Sequence, residues 1–268
     1  MDAITLGPLV LPLSRLPGLL ALIVLLVATE LFNKKAPGIA RWGWMTALAG
    51  VLGGRLAFAA STPAAYASEP WTLLYFWQPG YSWWGALLGA LVFSLIFARK
   101  HPGLRSAITG ILAITSLVGL LTLAVLPKGA TGDQLPSLSF QDLAGQSINL
   151  EAYRGQPLVV NLWATWCPPC RREMPMLESY EGDERLQVVL INQGESLLAV
   201  SEYLQQSQLT FANLLLDTQQ QAMQHYQAPG LPATLFYNAE GQLVDRHFGE
   251  LSRGQIERFI QRQSLQDD

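Results

Sequence analysis

The pattern of hydrophobic positions changes near the middle of the chain. Up to residue 127 it consists of long apolar runs, whereas beyond residue 136 short runs rich in Val, Leu and aromatic residues alternate with helical stretches. Long runs are typical of membrane-spanning helices, and the alternation is typical of βαβ units around a mixed sheet. We therefore predict a helical membrane domain over residues 1–127, a linker over 128–135 and an α/β domain over 136–268.

Four apolar stretches in the first domain predict four transmembrane helices. They cover residues 16–32, 42–60, 83–98 and 107–126. Each approaches the roughly 20 residues that cross about 30 Å of hydrocarbon, although the first and third are short. Arg55 falls inside the second stretch, where a charge is costly. It is either functional or kept for packing, as a snorkelling or internally paired arginine. The sequence leaves both interpretations of Arg55 open.

The basic residues between these stretches predict their orientation, because Lys and Arg are retained on the cytoplasmic side of short connections. Residues 61–81, between the second and third stretches, contain neither Lys nor Arg. The other two connections are basic, with Lys34, Lys35 and Arg41 in one and Arg99, Lys100 and Arg105 in the other. We therefore predict that the N-terminus and the α/β domain lie outside, on the periplasmic face of a bacterial inner membrane.

The second domain is predicted to contain five strands and four helices. The strands cover residues 158–164, 186–192, 211–217, 233–238 and 243–248, and the helices lie near residues 170–180, 197–206, 218–226 and 255–262. The turn sequence Asn-Ala-Glu-Gly at 238–241 predicts that the last two strands pair as a hairpin.

The two domains also differ in charge. Residues 1–128 carry nine Lys and Arg against three Asp and Glu, and residues 129–268 carry eight Arg against seventeen Asp and Glu. The formal balances are +6 and −9, in agreement with the net charge of −3 for the whole chain. An acidic domain lacks the basic face that phosphate recognition needs, which argues against nucleic-acid binding.

The two cysteines of the chain lie in the sequence Trp-Cys-Pro-Pro-Cys at 166–170, directly after an apolar stretch that predicts a buried strand. Pro168 favours the start of a helix, where the missing N–H of proline is harmless. Cys167 would then lie at a helix N-terminus, whose dipole favours the reactive thiolate. Cys170, nearly one turn further on, can attack a mixed disulfide at Cys167. We predict a redox-active Cys167–Cys170 pair, with Cys167 as the nucleophile and Cys170 as the resolving residue.

Other roles for this pair are less favourable. A zinc site needs four ligands, but the chain has only three widely separated histidines besides the two cysteines. Haem attachment needs a histidine after the second cysteine, where Arg171 stands. An inert disulfide across two residues would constrain little of the unfolded chain. We therefore expect no metal site and no cofactor.

Several motifs of this domain resemble the TlpA/ResA group of thioredoxin-like proteins. They are Trp163, the cysteine motif at 166–170, Glu-Met-Pro at 173–175 and Gly-Leu-Pro-Ala-Thr at 230–234. The resemblance covers about residues 134–262 and implies a thioredoxin-like fold with an extra strand and helix before the strand of Pro232. It also implies a membrane-tethered, extracytoplasmic thiol-disulfide oxidoreductase, of a group that serves cytochrome c maturation or copper-site assembly.

The resemblance also implies how substrate is held. Pro232 is expected to follow a cis peptide bond, which X-Pro bonds tolerate, and to lie against the disulfide. The backbone of Leu231 is expected to offer hydrogen bonds to an extended substrate, with Trp166 and Pro168 beside it.

Proton transfer is less clearly assigned. Glu173 matches an acidic position of the family near the active site, and is either a proton relay or a solvated helix residue. Asn161 occupies the place of the buried acid of thioredoxin, and an asparagine cannot relay a proton. Our hypothesis is that water or Glu173 deprotonates Cys170.

Two features predict the direction of electron flow. Pro168 and Pro169 lack N–H donors that would stabilise a Cys167 thiolate, which favours a reductant, although Arg171 or Arg172 could offset this. The membrane half contains no cysteine and cannot relay electrons from the cytoplasm by dithiol exchange. By family resemblance, we expect a DsbD-type membrane electron donor, and substrates such as apocytochrome c, copper-site proteins or lipoproteins.

The membrane half carries a second, partial resemblance. Leu-Gly-Gly-Arg-Leu at 52–56 and the run at 76–89 resemble the early part of prolipoprotein diacylglyceryl transferase, over about residues 5–100. Ser82, Gly85, Leu87 and Gly89 match the family, but its functional histidine falls on Trp84, which cannot accept a proton. The resemblance therefore implies an anchor, a scaffold or a lipid or partner platform rather than a working transferase.

The leading prediction is a membrane-anchored, extracytoplasmic protein-disulfide reductase. Three alternatives remain: a disulfide oxidase or isomerase, a Cu(I)-delivery module that uses the two thiols, and a lipoprotein-processing or lipid-binding platform.

Overall fold

The computed structural model describes residues 3–6, 9–67, 70–76, 78–125 and 132–265. Trp77 and residues 128–131 of the predicted linker therefore lie outside the described residues. The chain divides into two compact units, of which one is Leu13–Pro127 and the other combines Met1–Pro12 with Lys128–Asp268.

The first unit is helical. Its α-helices are α1 (Leu16–Phe32), α2 (Ile39–Ser61), the short α3 (Ala64–Ala67), α4 (Trp83–Lys100) and α5 (Arg105–Val125). Among the described residues, α2, α4 and the segment Pro102–Val125 are long and apolar enough to cross a membrane. With 17 residues, α1 is shorter. Four apolar helices lie where they were predicted, and three of them have full spanning length.

Helices α2 and α4 pack through glycines. A Cβ atom on Gly53 would lie 2.6 Å from the carbonyl oxygen of Gly85, and one on Gly85 would overlap the side chain of Ala57. A Cβ atom on Gly89 would likewise overlap the carbonyl oxygen of Ala49. Small residues allow two helix backbones to approach closely, which is how transmembrane helices commonly associate. The glycines are therefore required by the contact between α2 and α4.

The side chain of Arg55 binds the backbone of the segment that connects α2 to α4. Its side chain is buried, at 7% exposure, and its guanidinium lies 5.8 Å and 5.4 Å from the ring centres of Tyr66 and Tyr81. It donates four hydrogen bonds of 2.8–3.2 Å to backbone carbonyls, those of Thr72, Leu73, Tyr75 and Gly80. Of the two interpretations of Arg55, the structure supports internal pairing.

The second unit begins with a hairpin that the sequence pattern did not predict. Strands β1 (Ala3–Leu6) and β2 (Leu9–Pro12) pair in antiparallel register and form a separate two-stranded sheet.

The main sheet of this unit has seven strands. They are β3 (Ser139–Asp142), β4 (Ser147–Asn149), β5 (Leu158–Trp163), β6 (Gln187–Gln193), β7 (Leu214–Asp217), β8 (Ala233–Tyr237) and β9 (Leu243–Phe248). Their order in the sheet is β4-β3-β7-β6-β5-β8-β9. The parallel pairs are β5–β6 and β6–β7, and the remaining pairs are antiparallel, so the predicted mixed sheet is confirmed. Strands β3 and β4 were not predicted, whereas the hairpin of β8 and β9 was.

Four helices connect or follow these strands: α6 (Pro168–Glu178), α7 (Leu197–Ser207), α8 (Gln221–His225) and α9 (Arg253–Ser264). Helix α7 and strand β7 lie between α6 and β8, as the family resemblance implied.

Strand β5 lies in the interior of the sheet, between β6 and β8, and is buried on both faces. Leu158, Val160 and Leu162 enter one core cluster, and Val159 and Trp163 enter the other, in agreement with the two-residue period of a strand. The cluster that contains Val159 and Trp163 also contains Cys170, Met174 and Leu177 of α6, so the helix that carries the cysteines packs on this face.

The glycine contact between α2 and α4 predicts an asymmetry between two Gly→Ala variants. Gly85→Ala should destabilise the membrane unit by about 1–3 kcal/mol, because the new methyl group overlaps Ala57. Gly110→Ala in α5 is the control, since a Cβ atom there meets nothing within 4 Å and alanine favours a helix. Thermal unfolding of both full-length variants in detergent measures the difference, and equal stability would show that the close contact is absent.

Candidate active site

The cysteine pair lies where β5 passes into α6. Cys167 is the N-cap residue of α6, and Cys170 lies in its first turn. The two are joined as a disulfide, and Cys167 Sγ accepts a hydrogen bond from the Cys170 N–H at 3.3 Å. Cys170 is fully buried, whereas Cys167 is 3% exposed. An incoming sulfur atom therefore reaches Cys167 first.

The groups that could stabilise a Cys167 thiolate are few. Pro168 is exposed and begins α6, and neither it nor Pro169 has an N–H to donate. Arg172 forms an ion pair with Glu250, with an N–O distance of 2.6 Å. The guanidinium of Arg171 lies 5.6 Å from the centre of the Tyr203 ring. Both basic side chains next to the cysteines thus have other partners.

The Leu231–Pro232 peptide bond is cis, as the resemblance implied. Pro232 is buried and precedes Ala233, which pairs with Leu162 near the end of β5. The proline is therefore at the edge of the sheet from which the cysteine loop departs. Leu231 is partly buried and packs against the core cluster that contains both cysteines.

Glu173 is buried, with 2% of its surface exposed, so the structure excludes the interpretation of Glu173 as a solvated helix residue. It lies one turn beyond Cys170 and on the same side of α6. Its carboxyl oxygens accept hydrogen bonds from Asn161 Nδ2 at 2.8 Å and from the Leu251 N–H at 2.7 Å.

Burial raises the pKa of Glu173 to about 8, even though hydrogen bonds from Leu251 and Asn161 oppose the shift. The charge of Glu250 raises the pKa further, and that of Arg172 lowers it. A carboxyl group with such a pKa is mainly protonated at pH 7 and can exchange a proton near neutrality.

Asn161 connects Glu173 to the strand that follows Pro232. It is fully buried on β5, and its Nδ2 also donates to Thr234 Oγ1 on β8 at 3.1 Å. The place of thioredoxin's buried acid is thus taken by an amide, and the carboxyl group comes from α6 instead.

Glu195 holds the loop in front of Cys167, a role that the sequence did not reveal. Its carboxylate accepts hydrogen bonds from the Thr165 N–H at 2.7 Å, from the Thr165 hydroxyl, and from Asn192 Nδ2 at 2.7 Å. Glu195 follows β6, which is parallel to β5, so both loops leave the same edge of the sheet. Polar residues that directly follow two neighbouring parallel strands are the sequence signal for this contact.

The predicted site residues therefore come together in part. The two cysteines, Glu173, Asn161 and Thr234 are linked through α6 or by hydrogen bonds, and Pro232 opens the strand that pairs with β5. Trp166 is 66% exposed and directly precedes Cys167.

Comparison with known families agrees with the two resemblances. The model of the AhpC/TSA family matches residues 131–246, and the model of prolipoprotein diacylglyceryl transferase matches residues 16–125. Among solved structures, a secreted Mycobacterium tuberculosis disulfide oxidoreductase homologous to E. coli DsbE is similar, with a TM-score of 0.42 and 23% identity. It covers 47% of this chain and 96% of its own.

Curated relatives match the α/β unit. Thiol-disulfide oxidoreductase ResA of Geobacillus kaustophilus is 33% identical over 135 residues, which are 49% of this chain and 77% of the relative. ResA of Halalkalibacterium halodurans is 30% identical over 133 residues, 48% of this chain and 75% of the relative. The chain carries its Cys-Pro-Pro-Cys pair at the start of α6, and the match covers about three quarters of the length of each of these relatives. The chain therefore belongs to the ResA family of thiol-disulfide oxidoreductases.

Proposed function

We propose that this oxidoreductase is anchored in the bacterial inner membrane and reduces disulfides of periplasmic proteins. The observation that carries the proposal is the surroundings of Cys167. Among the described residues, the one hydrogen bond that Cys167 Sγ accepts comes from Cys170, and the two prolines between them donate none. A thiolate with few donors is less stabilised, so the dithiol gives up its electrons more readily.

The reaction takes place in two exchanges. The Cys167 thiolate attacks one sulfur of the substrate disulfide, forming a Cys167–substrate disulfide and releasing the other substrate sulfur as a thiolate. The Cys170 thiolate then attacks Cys167 Sγ, which forms the Cys167–Cys170 disulfide and releases the remaining substrate thiolate. Two electrons and, after protonation of the products, two protons pass from the enzyme to the substrate.

Glu173 is proposed as the group that takes the proton from Cys170 before the second exchange. The residue is buried one turn from Cys170, and its pKa of about 8 lies close to working pH. Efficient general bases have pKa values near the operating pH. The hydrogen bonds from Asn161 and Leu251 hold the carboxyl group in place.

The proposed orientation rests on both ends of the membrane unit. The hairpin of β1 and β2 precedes α1 and belongs to the same compact unit as the residues that follow α5. If both flanks of the membrane unit lie on the same side of the membrane, the chain crosses the membrane an even number of times. Six of the nine basic residues of 1–128 lie in the turn after α1, at the start of α2, at the end of α4 and at the start of α5, which supports a cytoplasmic location for those ends.

The partners follow from the same reasoning. Because neither cysteine lies in the membrane unit, that unit cannot pass electrons by dithiol exchange, and we propose a DsbD-type membrane protein as the electron donor. Apocytochrome c, copper-site proteins and lipoproteins are the proposed classes of substrate. The apolar outer faces of α2, α4 and α5 are proposed to contact the lipid bilayer.

The redox potential of the pair tests the direction of electron flow. The full chain in detergent is equilibrated with dithiothreitol or glutathione buffers, and tryptophan fluorescence reports the state of the cysteines. We expect a potential near or below about −220 mV. Cys170→Ser is the control, because it cannot form the intramolecular disulfide. A value above about −150 mV would identify an oxidase or isomerase instead.

The pH profile of the second exchange tests Glu173. In wild type, the rate should rise as Glu173 ionises through a pH of about 8, because only its carboxylate can accept the proton. Glu173→Gln should slow this step at least about tenfold and remove that rise. The rate is measured in single turnovers of a preformed mixed disulfide between pH 6 and 9. Glu240→Gln, in an exposed turn, is the control, and an unchanged rate and profile in Glu173→Gln would exclude the relay.

Labelling of introduced cysteines tests the orientation. In a chain with Cys167→Ser and Cys170→Ser, Gln146→Cys lies in an exposed turn of the α/β unit and Lys35→Cys lies in the turn between α1 and α2. A membrane-impermeant maleimide added to spheroplasts should label Gln146→Cys and spare Lys35→Cys until the membrane is opened. The reverse pattern would place the α/β unit in the cytoplasm.

A further inference from the structure

Exposed apolar side chains in the α/β unit are concentrated beside the cysteines. Within the described residues 132–265, five large apolar side chains are exposed, and three of them are Trp166, Leu197 and Leu198. The other two, Leu143 and Leu265, lie in the turn between β3 and β4 and directly after α9. Trp166 and Leu198 are 66% and 68% exposed, and Leu197 is 45% exposed.

Sheet topology brings these three residues to one edge. Trp166 follows β5 and the two leucines follow β6, and the two strands are parallel neighbours whose ends are in register at Trp163 and Asn192. The hydrogen bonds between Thr165 and Glu195 join the two loops directly. Trp166 comes immediately after Thr165, and Leu197 comes two residues after Glu195.

The leucines are exposed although the helix they begin is amphipathic. Ser196 caps α7 by accepting a hydrogen bond from the Ala199 N–H at 3.3 Å. Val200 and Leu204 of this helix are buried in the core, whereas Leu197 and Leu198 point away from it. A single exposed leucine is normal on a protein surface, whereas large apolar side chains grouped at one end of a sheet are typical of a contact surface.

We propose that Trp166, Leu197 and Leu198 form an apolar ledge that binds a large apolar side chain of the substrate polypeptide, close to its disulfide-bonded cysteine. The proposal rests on the proposed reduction of protein disulfides, because a substrate sulfur must arrive at Cys167, the residue next to Trp166. The ledge therefore lies at the same end of the sheet as the residue that the substrate sulfur has to reach. The carboxylate of Glu195 accepts hydrogen bonds from Thr165 and Asn192. Its charge is therefore satisfied within the protein and does not take part in substrate binding.

The selectivity of the full chain between two peptides tests the ledge. Both peptides carry one cysteine in a mixed disulfide with glutathione, flanked by leucines in one peptide and by serines in the other, and dithiothreitol supplies the electrons. We expect wild type to favour the leucine peptide about tenfold in kcat/KM, which corresponds to about 1.4 kcal/mol. Leu198→Gln and Leu197→Gln should each reduce that ratio to about threefold or less. Leu143→Gln, which also replaces an exposed leucine, should keep the wild-type ratio.

The outcomes separate the ledge from the proposed function. Reduction of the serine peptide by wild type tests the reductase activity on its own, whatever the ratio. A wild-type ratio in both Leu197→Gln and Leu198→Gln overturns the ledge and leaves the activity intact. Repeating the assay in lipid nanodiscs tests the competing occupant: a reduced ratio in nanodiscs but not in detergent would assign these leucines to the lipid surface, and would also overturn the proposal.

Discussion

Burial of the Glu173 carboxyl group joins the elements that build the active site. A carboxyl group in a protein interior is costly unless donors replace its water, and a charged one is costlier still. Here the donors are Asn161 on β5 and the backbone of Leu251 after β9, and Asn161 in turn reaches Thr234 on β8. Helix α6, strand β5, the strand after the cis proline and the loop before α9 are therefore fixed with respect to one carboxyl group. The position of Cys170, one turn away on α6, depends on the same contacts.

Much of the α/β unit could be predicted from the sequence because its signals are local. The apolar run at β5, the proline that begins α6 and the two-residue cysteine spacing are each contained within a few residues. The donor that completes the Glu173 site is different, since a backbone N–H has no sequence signature and Leu251 lies 78 residues away. Glu195 was missed for a related reason, because its partner Thr165 is 30 residues distant. Strands β3 and β4 are short and mostly polar, so neither hydrophobic periodicity nor length indicates them.

The membrane unit shows where a family resemblance and physical reasoning meet. The matched glycines at 85 and 89 are those that let α4 approach α2, so the resemblance there reflects backbone packing. Arg55 of the Gly-Gly-Arg motif donates hydrogen bonds to backbone carbonyl groups of the connection between α2 and α4. The sequence could not reveal these contacts, because backbone acceptors have no sequence signature. Trp84, which aligns with the functional histidine of the transferase, is half exposed on α4. The unit thus resembles that family in the packing of its helices, while this position carries a side chain that cannot accept a proton.

The amide of Asn161 constrains how this active site can change over evolutionary time. Its nitrogen lies 2.8 Å from a Glu173 oxygen, so an aspartate at 161 would bring two buried carboxyl groups within hydrogen-bonding distance. Such a pair cannot ionise at both sites and would share a proton, and its titration would then belong to the pair. An acid on the strand, as in thioredoxin, and an acid on the helix, as here, are therefore alternative solutions. The effect of a carboxyl group at either position on proton transfer therefore depends on the residue at the other position.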